Sequence, residues 1–427
     1  MATIIILLFV LMFIGVPIAI ALAIAALAGL MISPVSVPLV VLPQRFFTAV
    51  DSFSLIAVPF FILAGELMMV GSMGKRIADF ALACVGWLRA GLAQASTLAS
   101  MLFAGISGSG AADTAAVGKM MIPTMEKKGY DRGFAASTIA TAGTIAVVIP
   151  PSIPMIIYGV TAGVSISTLF MAGIIPGILI GLSIMAMNYW TVRRKGYGDN
   201  ERQSFEVKPF LKAFKSGFWA LLMPVIIIGG IRTGAFTPTE SAAIAAAYAL
   251  FVSAFIYRDL KWKDIPQILQ RVAVTTAMVL FIIAAATFFG WVITAEQVPQ
   301  MLTNLISDLT SNKYVILLLM NIILLIVGCF LNTTSAITIM TPLFMPLIDA
   351  MGIDPIFFGL IMVVNLSIGL ITPPVGLDLF VVQGIAEVKL ERLVRAILPF
   401  IVLLILDLMI LTYIPQITMW LPSILDR

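Results

Sequence analysis

The sequence predicts an all-α polytopic membrane protein built from an inverted structural repeat, with one re-entrant helical hairpin and one broken helix in each half. The first observation is composition, since 61% of the chain is apolar and only 11% is charged. Apolar runs of about 20 residues recur, which is the length that crosses a hydrocarbon core of about 30 Å. The second is a pattern of Gly and Pro that recurs at a constant offset of 223 residues. The strict alternation typical of a transmembrane β-strand is absent.

The composition also excludes several function classes. The chain has no histidine, which excludes Ser-His-Asp hydrolysis, His-ligated metals and His proton relays. Its two cysteines, Cys84 and Cys329, lie in apolar surroundings and indicate neither a disulfide framework nor a metal site. We attribute the net charge of +4 to loop residues and expect no nucleic-acid partner. The N-terminus lacks a basic n-region, so we interpret Thr3–Ile32, interrupted at Gly15–Pro17, as a first span.

The repeat is visible in two long segments. GSGAADTAAVGKMMIP (Gly108–Pro123) leads to GTIAVVIPPSIP (Gly143–Pro154), and FLNTTSAITIMTPLFMP (Phe330–Pro346) leads to GLITPPVGLDLF (Gly369–Phe380). The offset of 223 aligns Pro123 with Pro346, Glu126 with Asp349, Gly129 with Gly352, Asp131 with Asp354, Phe134 with Phe357, and Pro150–Pro151 with Pro373–Pro374. Gly and Pro are frequent in membrane helices, but a shared register over some fifty residues favours a true repeat.

These patterns predict the domain organisation. The first repeat spans 1–192, with scaffold helices at 1–90, a hairpin at 91–125, a helix broken at Pro150–Pro151 over 131–165, and a helix at 168–192. A cytoplasmic connection and a reversing helix follow at 193–235. The second repeat spans 236–427, with scaffold helices at 236–310, a hairpin at 314–347, a broken helix at 355–386 and a last helix at 396–414. The segment 91–125 is predicted to be a hairpin because it is too long for one span and rich in small residues at its middle.

The distribution of basic residues predicts the orientation. Lys127, Lys128 and Arg132 lie at the base of the first hairpin, whereas Asp349 and Asp354 lie at the base of the second. Basic residues concentrate on cytoplasmic loops, so the two bases are expected on opposite sides of the membrane. The scheme has about nine crossings, a cytoplasmic N-terminus and a periplasmic C-terminus.

Inverted repeats with discontinuous helices are typical of secondary transporters, which bind their solute near the bilayer midplane. Proline pairs free backbone carbonyls, and carbonyls with hydroxyls are oxygen ligands suited to Na⁺. We predict Na⁺ contacts at Ser107, Ser109, Gly143, Thr144, Pro150, Thr333, Thr334, Gly369, Thr372 and Pro373. Helix N-termini after the tips and breaks favour a carboxylate, so we predict substrate contacts at Ser109, Asp113, Ser152, Asn332, Asn365 and Asp378. The alternative is that the hydroxyls only bond to carbonyls of their own helix.

Charged residues within spans are functional candidates because burying charge in a membrane is costly. Asp113 and Asp378 each lie four residues after a tip or break residue, Ser109 and Pro374. Glu66 and Glu240 are weaker candidates that could lie at an interface. We expect Asp407 to pair with a neighbouring helix or subunit.

At these motifs the chain resembles the large membrane subunit of the TRAP (tripartite ATP-independent periplasmic) transporters. The similarity rests on GSGAADTAAVG, IPTMEKKGYD, VIPPSIPMIIYG, LNTTSAITIMTPLFMP and DPIFFGLIMVVNLSIGLITPPVG and extends over nearly the whole chain. It implies a bacterial inner-membrane symporter that takes up an organic acid with Na⁺ and has no other cofactor. It further implies a periplasmic binding protein that delivers the substrate, a small four-helix membrane subunit, and an elevator movement of the hairpins and broken helices. Among family members the chain looks most like the sialic-acid type.

Two positions depart from the family pattern. Many members carry Asp at the second tip, where this chain has Asn332, and Asn where it has Asp378. A C4-dicarboxylate TRAP permease and a self-sufficient Na⁺/dicarboxylate carrier, whose fold also has two hairpins, are the alternative functions. A channel would not need two mobile hairpins, and no paired catalytic carboxylates or metal motif supports an intramembrane enzyme.

Overall fold

The protein is helical throughout the part of the chain that the structure, a computed structural model, describes: residues 2–32, 38, 40–198, 205–301, 303, 310 and 312–425. Helices make up 82% of it, and these residues form no strand. Seven helices are long and apolar enough to cross a membrane, namely Phe53–Val70, Ile166–Lys195, Val207–Arg232, Pro238–Ile256, Ile265–Ala295, Lys313–Phe330 and Leu390–Tyr413. The composition therefore predicted the helical membrane class correctly.

The helices are numbered in chain order. The first half contains α1 (Ala2–Phe13), α2 (Ile18–Ile32), α3 (Val41–Val50), α4 (Ala57–Val70, preceded by a 3₁₀ turn at Phe53–Ile56), α5 (Met73–Val85), α6 (Gly91–Ser107), α7 (Gly110–Lys127), α8 (Arg132–Ile145), α9 (Ile153–Ala162) and α10 (Ile166–Lys195). The second contains α11 (Val207–Arg232), α12 (Pro238–Phe251, continued by a π-turn at Val252–Ile256), α13 (Ile265–Ala295), α14 (Lys313–Phe330), α15 (Thr333–Ala350), α16 (Pro355–Gly369), α17 (Leu377–Ala386), α18 (Leu390–Tyr413) and α19 (Pro415–Leu425).

The N-terminal segment folds back on itself instead of forming one span. Gly15 has φ +89°, and a Cβ at Gly29 would lie 2.6 Å from Ile4 Cδ1. In one continuous helix, residues 25 positions apart would be separated by about 37 Å. The predicted interruption at Gly15–Pro17 is confirmed, but the single crossing at Thr3–Ile32 is wrong. The predicted cytoplasmic N-terminus was counted through that crossing and loses its support.

The polar connection, predicted for the first part of 193–235 and ending near Lys215, is also shorter than expected. Its first residues belong to the last turn of α10, and Val207–Lys215 is the start of α11, which is 26 residues long. Phe210 and Phe214 both pack against Phe80 of α5, with ring centroids 5.9 Å apart. Charged residues lie between these aromatic residues, so the sequence of this amphipathic helical segment looks like that of a loop. Residues 199–204 lie outside the described residues.

Both predicted hairpins fold back. In the first, Ser96 near the start of α6 donates to Met125 Sδ near the end of α7, at 3.6 Å. In the second, Lys313 at the start of α14 donates from Nζ to the Gly352 carbonyl beyond α15, at 3.2 Å. The turns lie at Gly108–Ser109 and Leu331–Asn332, within or next to the predicted tips.

Both broken helices are interrupted at their proline pairs. The segments 146–152 and 370–376 separate α8 from α9 and α16 from α17. Proline lacks the N–H that would continue the helix, and the Ser152 hydroxyl restarts it by accepting from Met155 N at 3.3 Å. Asp131 and Asp354, one of the matched pairs, both accept hydrogen bonds from first-turn N–H groups of α8 and α16. Part of the sequence repeat therefore encodes helix caps.

The helix boundaries follow the offset of 223. Gly110–Lys127 maps onto Thr333–Ala350 residue for residue, and Arg132–Ile145 maps onto Pro355–Ile368, one residue short of the end of α16. Each half also contains a buried polar triad. Asn188 bonds Thr97 at 3.0 Å and Thr138 at 3.1 Å, while Asn321 bonds Thr412 at 3.0 Å and Asn365 at 3.1 Å.

The two halves interlock through their hairpins. The second hairpin helix of each half packs on the helix after the break of the other, α15 on α9 and α7 on α17. Tyr158 of α9 also donates its hydroxyl to the Pro355 carbonyl at 2.7 Å. Ser183 of α10 donates to Asp407 of α18, which confirms that Asp407 pairs with a neighbouring helix. The hairpins and broken helices therefore form one core.

Candidate functional site

A cavity of about 270 Å³ lies where the two hairpin tips meet. The first tip contributes Ser107–Ala112, and the second contributes Asn332, Thr333 and Thr334. The remaining walls come from the broken helices and from two scaffold helices: Val147, Ile153, Pro154, Leu370, Leu377 and Asp378, and Ile62, Gly65, Glu66, Met69, Thr275 and Val279. Two tips and two breaks, far apart in the sequence, thus share one cavity.

The first tip is a tight turn held against the first break. Gly108 has φ +60°, and a Cβ there would lie 2.7 Å from the Pro151 carbonyl oxygen. Only glycine accepts both the left-handed backbone and this approach. Ser107 donates its hydroxyl to Asp113 Oδ1 and accepts from Ser109 N at 3.2 Å. Asp113 is fully buried, and its Oδ2 has no hydrogen-bond partner among the described residues.

The Asp378 carboxylate lies against the N-terminus of α7. A Cβ at Gly110 would lie 2.9 Å from Asp378 Oδ2 and 3.1 Å from the Gly143 carbonyl oxygen. Asp378 is fully buried, and neither of its oxygens has a hydrogen-bond partner among the described residues. The buried Thr114 hydroxyl, which packs on Gly143, also lacks one. A buried carboxylate without donors is costly unless a cation or a proton compensates it. The unpartnered oxygens of Asp378 and Thr114 thus lie close to the first hairpin tip and the first break.

The second tip is built like the first but has different side chains. Asn332 caps α15 by accepting from Ser335 N at 2.8 Å. The buried hydroxyls of Thr333 and Ser335 find no hydrogen-bond partner among the described residues. Gly328, near the end of α14, packs against Gly369 at the start of the second break, where a Cβ at Gly369 would lie 2.4 Å from the Gly328 backbone. Each tip therefore contacts the break of its own half.

The scaffold side carries an ion pair that the sequence analysis found only in part. Glu66 of α4 lines the cavity, and its Oε2 lies 3.6 Å from Arg271 Nη1 of α13. Arg271 was missed because it directly precedes a long apolar run, Val272–Ile293, within the predicted scaffold helices at 236–310. The helix begins earlier, at Ile265. The polar spacing Gln267, Gln270, Arg271 and Thr275 could have revealed this face.

Comparison with known proteins identifies the family. Residues 5–417 match the family model "Tripartite ATP-independent periplasmic transporter, DctM component". The chain belongs to this family. The chain is 44% identical over 398 residues to the C4-dicarboxylate TRAP transporter large permease protein DctM of Pseudomonas aeruginosa, covering 93% of this chain and 92% of the relative. It is 38% identical to the sialic acid TRAP transporter large permease protein SiaM of Vibrio cholerae, covering 97% and 96%.

The chain is also similar to a longer relative and to a solved structure. The chain is 44% identical to the isethionate TRAP transporter permease protein DctMQ of Oleidesulfovibrio alaskensis, of which it spans 64% while 95% of this chain is covered. The YdaH transporter of Alcanivorax borkumensis has the same fold, with a TM-score of 0.64 at 15% identity over 95% of this chain and 97% of that one. The fold of this DctM-family chain is thus that of a membrane transporter.

The predicted site residues of this DctM-family chain divide into two groups. Those that line the cavity are Ser107, Ser109, Asn332, Thr333, Thr334 and Asp378. Those outside its lining are Asp113, Gly143, Thr144, Pro150, Ser152, Asn365, Gly369, Thr372 and Pro373.

Several of the outer residues have local partners. Thr144 and Thr372 donate to carbonyls of their own helices at 2.7 Å, as the alternative interpretation expected. Ser152 donates to the Val147 carbonyl at 2.6 Å, and Asn365 belongs to a buried polar triad. The proposed roles of these residues in binding stay predictions.

Proposed function

We propose that this chain is the large membrane subunit of a TRAP transporter that takes up a small organic anion with Na⁺ across the bacterial inner membrane. One observation carries the proposal. Both hairpin tips and both helix breaks converge on one cavity, where the Asp378 carboxylate is buried and receives no hydrogen bond from any described residue. An uncompensated carboxylate at this place provides a physical reason for a cation to enter with the solute.

We propose one Na⁺ site in each half, between the tip and its break. In the first half the ligands come from the region of Ser109 and from Gly143–Pro150, whose Gly143 carbonyl faces the first turn of α7. In the second half they come from Thr333, whose hydroxyl is unpaired among the described residues, and from Gly369–Pro373. Carbonyl and hydroxyl oxygens of this kind are ligands for hard cations.

The substrate is proposed at the level of a class. The relatives named above are described as permeases for C4-dicarboxylates, isethionate and sialic acid, which share an anionic group on a small organic skeleton. Helix N-termini at Gly110 and Thr333 face the cavity and favour such a group. Sialic acid stays a prediction, since the sialic-acid relative is 38% identical and the other two are 44% identical.

The proposed assembly includes a periplasmic binding protein that delivers the anion and a small four-helix membrane subunit. Within it, the core of hairpins and broken helices moves as an elevator against the scaffold of α4, α5 and α11–α13. The orientation with a periplasmic C-terminus belongs to the same proposal. The basic residues Arg258, Lys261 and Lys263, which precede α13, support a cytoplasmic location for that loop.

Uptake into proteoliposomes tests the proposal. The chain is reconstituted with its small subunit, and labelled succinate, isethionate and N-acetylneuraminate are offered with the binding protein under an inward Na⁺ gradient. We expect uptake of one of these anions that stops when K⁺ replaces Na⁺ at constant membrane potential. Uptake driven by a proton gradient without Na⁺ would overturn the coupling. Uptake by the chain alone, without both partners, would favour the self-sufficient dicarboxylate carrier.

A further inference from the structure

A polar stripe runs along the first half of α13. Gln267, Gln270, Arg271 and Thr275 follow the spacing that places residues on one face of an α-helix. α13 has 31 residues, a length of about 46 Å, so Arg271 lies near the edge of a hydrocarbon core of about 30 Å. Charged groups at that depth face protein, head groups or water. The stripe therefore forms a polar path along this end of α13, next to Glu66.

A second cavity confirms where this stripe faces. It has a volume of about 470 Å³ and is lined by Glu66, Gln267, Gln270, Arg271, Val274 and Thr275. Glu66 and Thr275 also line the cavity at the hairpin tips. The two cavities share these walls, so the polar path adjoins the proposed binding site.

The ion pair at this junction is loosely held. Glu66 Oε2 lies 3.6 Å from Arg271 Nη1, which is too far for a hydrogen bond, and has no hydrogen-bond partner among the described residues. The Arg271 side chain is 51% exposed. Its guanidinium thus keeps donors for another anion, and its planar fork matches a carboxylate or a sulfonate.

We propose that Arg271 forms an anion-recognition subsite at the mouth of the cavity, where an organic anion exchanges with Glu66 as the partner of the guanidinium. Glu66 holds the guanidinium in place when no anion is present. The subsite rests on the proposed transport of an organic anion. The competing explanation is a structural ion pair between α4 and α13 that never meets the solute.

Charge-selective labelling tests the subsite without depending on transport. Thr275→Cys is introduced after Cys84→Ala and Cys329→Ala, and the protein is reconstituted with its small subunit. Two thiosulfonate reagents are compared, one ending in a sulfonate and one in a trimethylammonium group. We expect the ratio of anionic to cationic labelling rates to fall at least tenfold with Arg271→Gln and to rise with Glu66→Gln. Lys263→Gln removes an exposed positive charge before the same helix and serves as the matched control, with a change below twofold.

The two substitutions also separate the explanations. Removing either charge changes the electrostatic potential at position 275 whether or not Arg271 binds the solute, so the labelling ratio alone does not identify a structural pair. A structural pair predicts that Arg271→Gln and Glu66→Gln lower the thermal stability alike and leave protection by the transported anion unchanged, which would overturn the subsite. If Arg271→Gln fails to fold, Glu66→Gln still tests the proposal. An unchanged labelling ratio in Glu66→Gln would contradict the exchange of Glu66 for an anion at Arg271.

Protection by the transported anion then links the subsite to the solute. Succinate, isethionate or N-acetylneuraminate, whichever is taken up, should protect Cys at position 275, with half-protection at a concentration at least tenfold higher in Arg271→Gln. Equal protection in both proteins would exclude contact with the solute. Charge-selective labelling without uptake of any of the three anions would contradict the proposed function and leave the anion subsite intact.

Discussion

The contact between Gly369 and Gly328 permits a quantitative prediction about how the second hairpin is held. A Cβ at Gly369 would lie 2.4, 2.5 and 2.6 Å from three backbone atoms of Gly328. Backbone atoms cannot rotate away as a side chain does. An ordinary contact requires at least 3.4 Å, so Gly369→Ala must separate the two backbones by about 1 Å. Overpacking of this kind costs about 1–3 kcal/mol.

The same movement should weaken the proposed Na⁺ site between Thr333 and the second break. We expect Gly369→Ala to lower the melting temperature in detergent and to raise the Na⁺ concentration for half-maximal uptake. Gly328→Ala should be milder, because a Cβ there would lie no closer than 3.3 Å to its neighbours.

A matched control lies in the same half. Gly384 is within α17, and a Cβ there would meet nothing within 4 Å. Gly384→Ala should therefore be neutral or stabilise the protein by up to about 1 kcal/mol through helix propensity. If Gly369→Ala is as stable as Gly384→Ala and shows an unchanged Na⁺ dependence, the close backbone packing does not hold the hairpin at the break.

Further substitutions test two carboxylates, Asp378 and Asp131. Asp378→Asn should abolish or strongly weaken Na⁺-driven uptake, and adding Asn332→Asp should restore part of it if the charge acts within one shared cavity. Asp131→Ala should destabilise the protein by about 1 kcal/mol at pH 7, because it removes the cap of α8. Burial would raise the pKa of Asp131, but hydrogen bonds from Phe134 N and Arg392 outweigh it and lower the pKa. That stability is present above the unfolded pKa of about 3.9 and is lost as the pH falls through the folded pKa.

Each of these substitutions has a decisive control. A folded double variant Asp378→Asn/Asn332→Asp that is no more active than Asp378→Asn would refute the shared charge. For Asp131, the difference in melting temperature between wild type and Asp131→Ala should stay constant from pH 7 to about pH 4 and shrink only below it. A difference that stays constant below about pH 4 as well would mean that the carboxylate charge adds nothing to the cap.

The sequence could predict the broken elements because their signals are local. Proline pairs, tip glycines and capping residues act on their own backbone, so the hairpins and breaks were placed to within a few residues. The repeat offset was readable because Asp131 and Asp354 each cap a helix. The fold-back at Gly15 could not be predicted from the sequence, because one glycine in an apolar run is compatible with either a kinked helix or a reversal of the chain direction.

Which residues form the site depends on tertiary packing, and local sequence patterns do not reveal that packing. Asp378 follows the second break in the sequence, yet it lies against Gly110 of the first tip because α17 of the second half packs on α7 of the first. Asn365 was predicted to contact the substrate because it is polar. In the structure its side chain donates a hydrogen bond to Asn321 within the core. Arg271 was overlooked because a charge at the end of an apolar run looks like a boundary, and only the facing Glu66 shows that it lies next to the cavity at the hairpin tips.

Hydrogen bonds between helices fall into two sets, one within the core and one within the proposed scaffold. In the core, both polar triads join a hairpin, a broken helix and a later span. In the scaffold, Arg76 of α5 bonds Ser216 of α11, Tyr248 of α12 bonds the Trp219 carbonyl, and Asp259 accepts from Ser72 N. These specific bonds, buried in the core and partly buried or exposed in the scaffold, hold the helices of each set together. Each set is therefore suited to move as a unit.

The boundary between these sets of helices is lined by glycines, which leads to a direct test of the proposed elevator. Gly105 faces Pro224, Gly65 faces Ser107, and Gly290 of α13 faces Pro342 of α15. A Cβ at Gly290 would lie 3.9 Å from Pro342 Cβ, which is within the range of about 3.5–4.5 Å found in disulfides. Gly290→Cys with Pro342→Cys, in a protein without its two native cysteines, should form a disulfide on oxidation. Because the bond would fix core to scaffold, uptake should stop and return on reduction, while each single cysteine variant should be insensitive to oxidant. Undiminished uptake by fully cross-linked protein would show that the two helices do not move past each other, and the elevator would have to be abandoned.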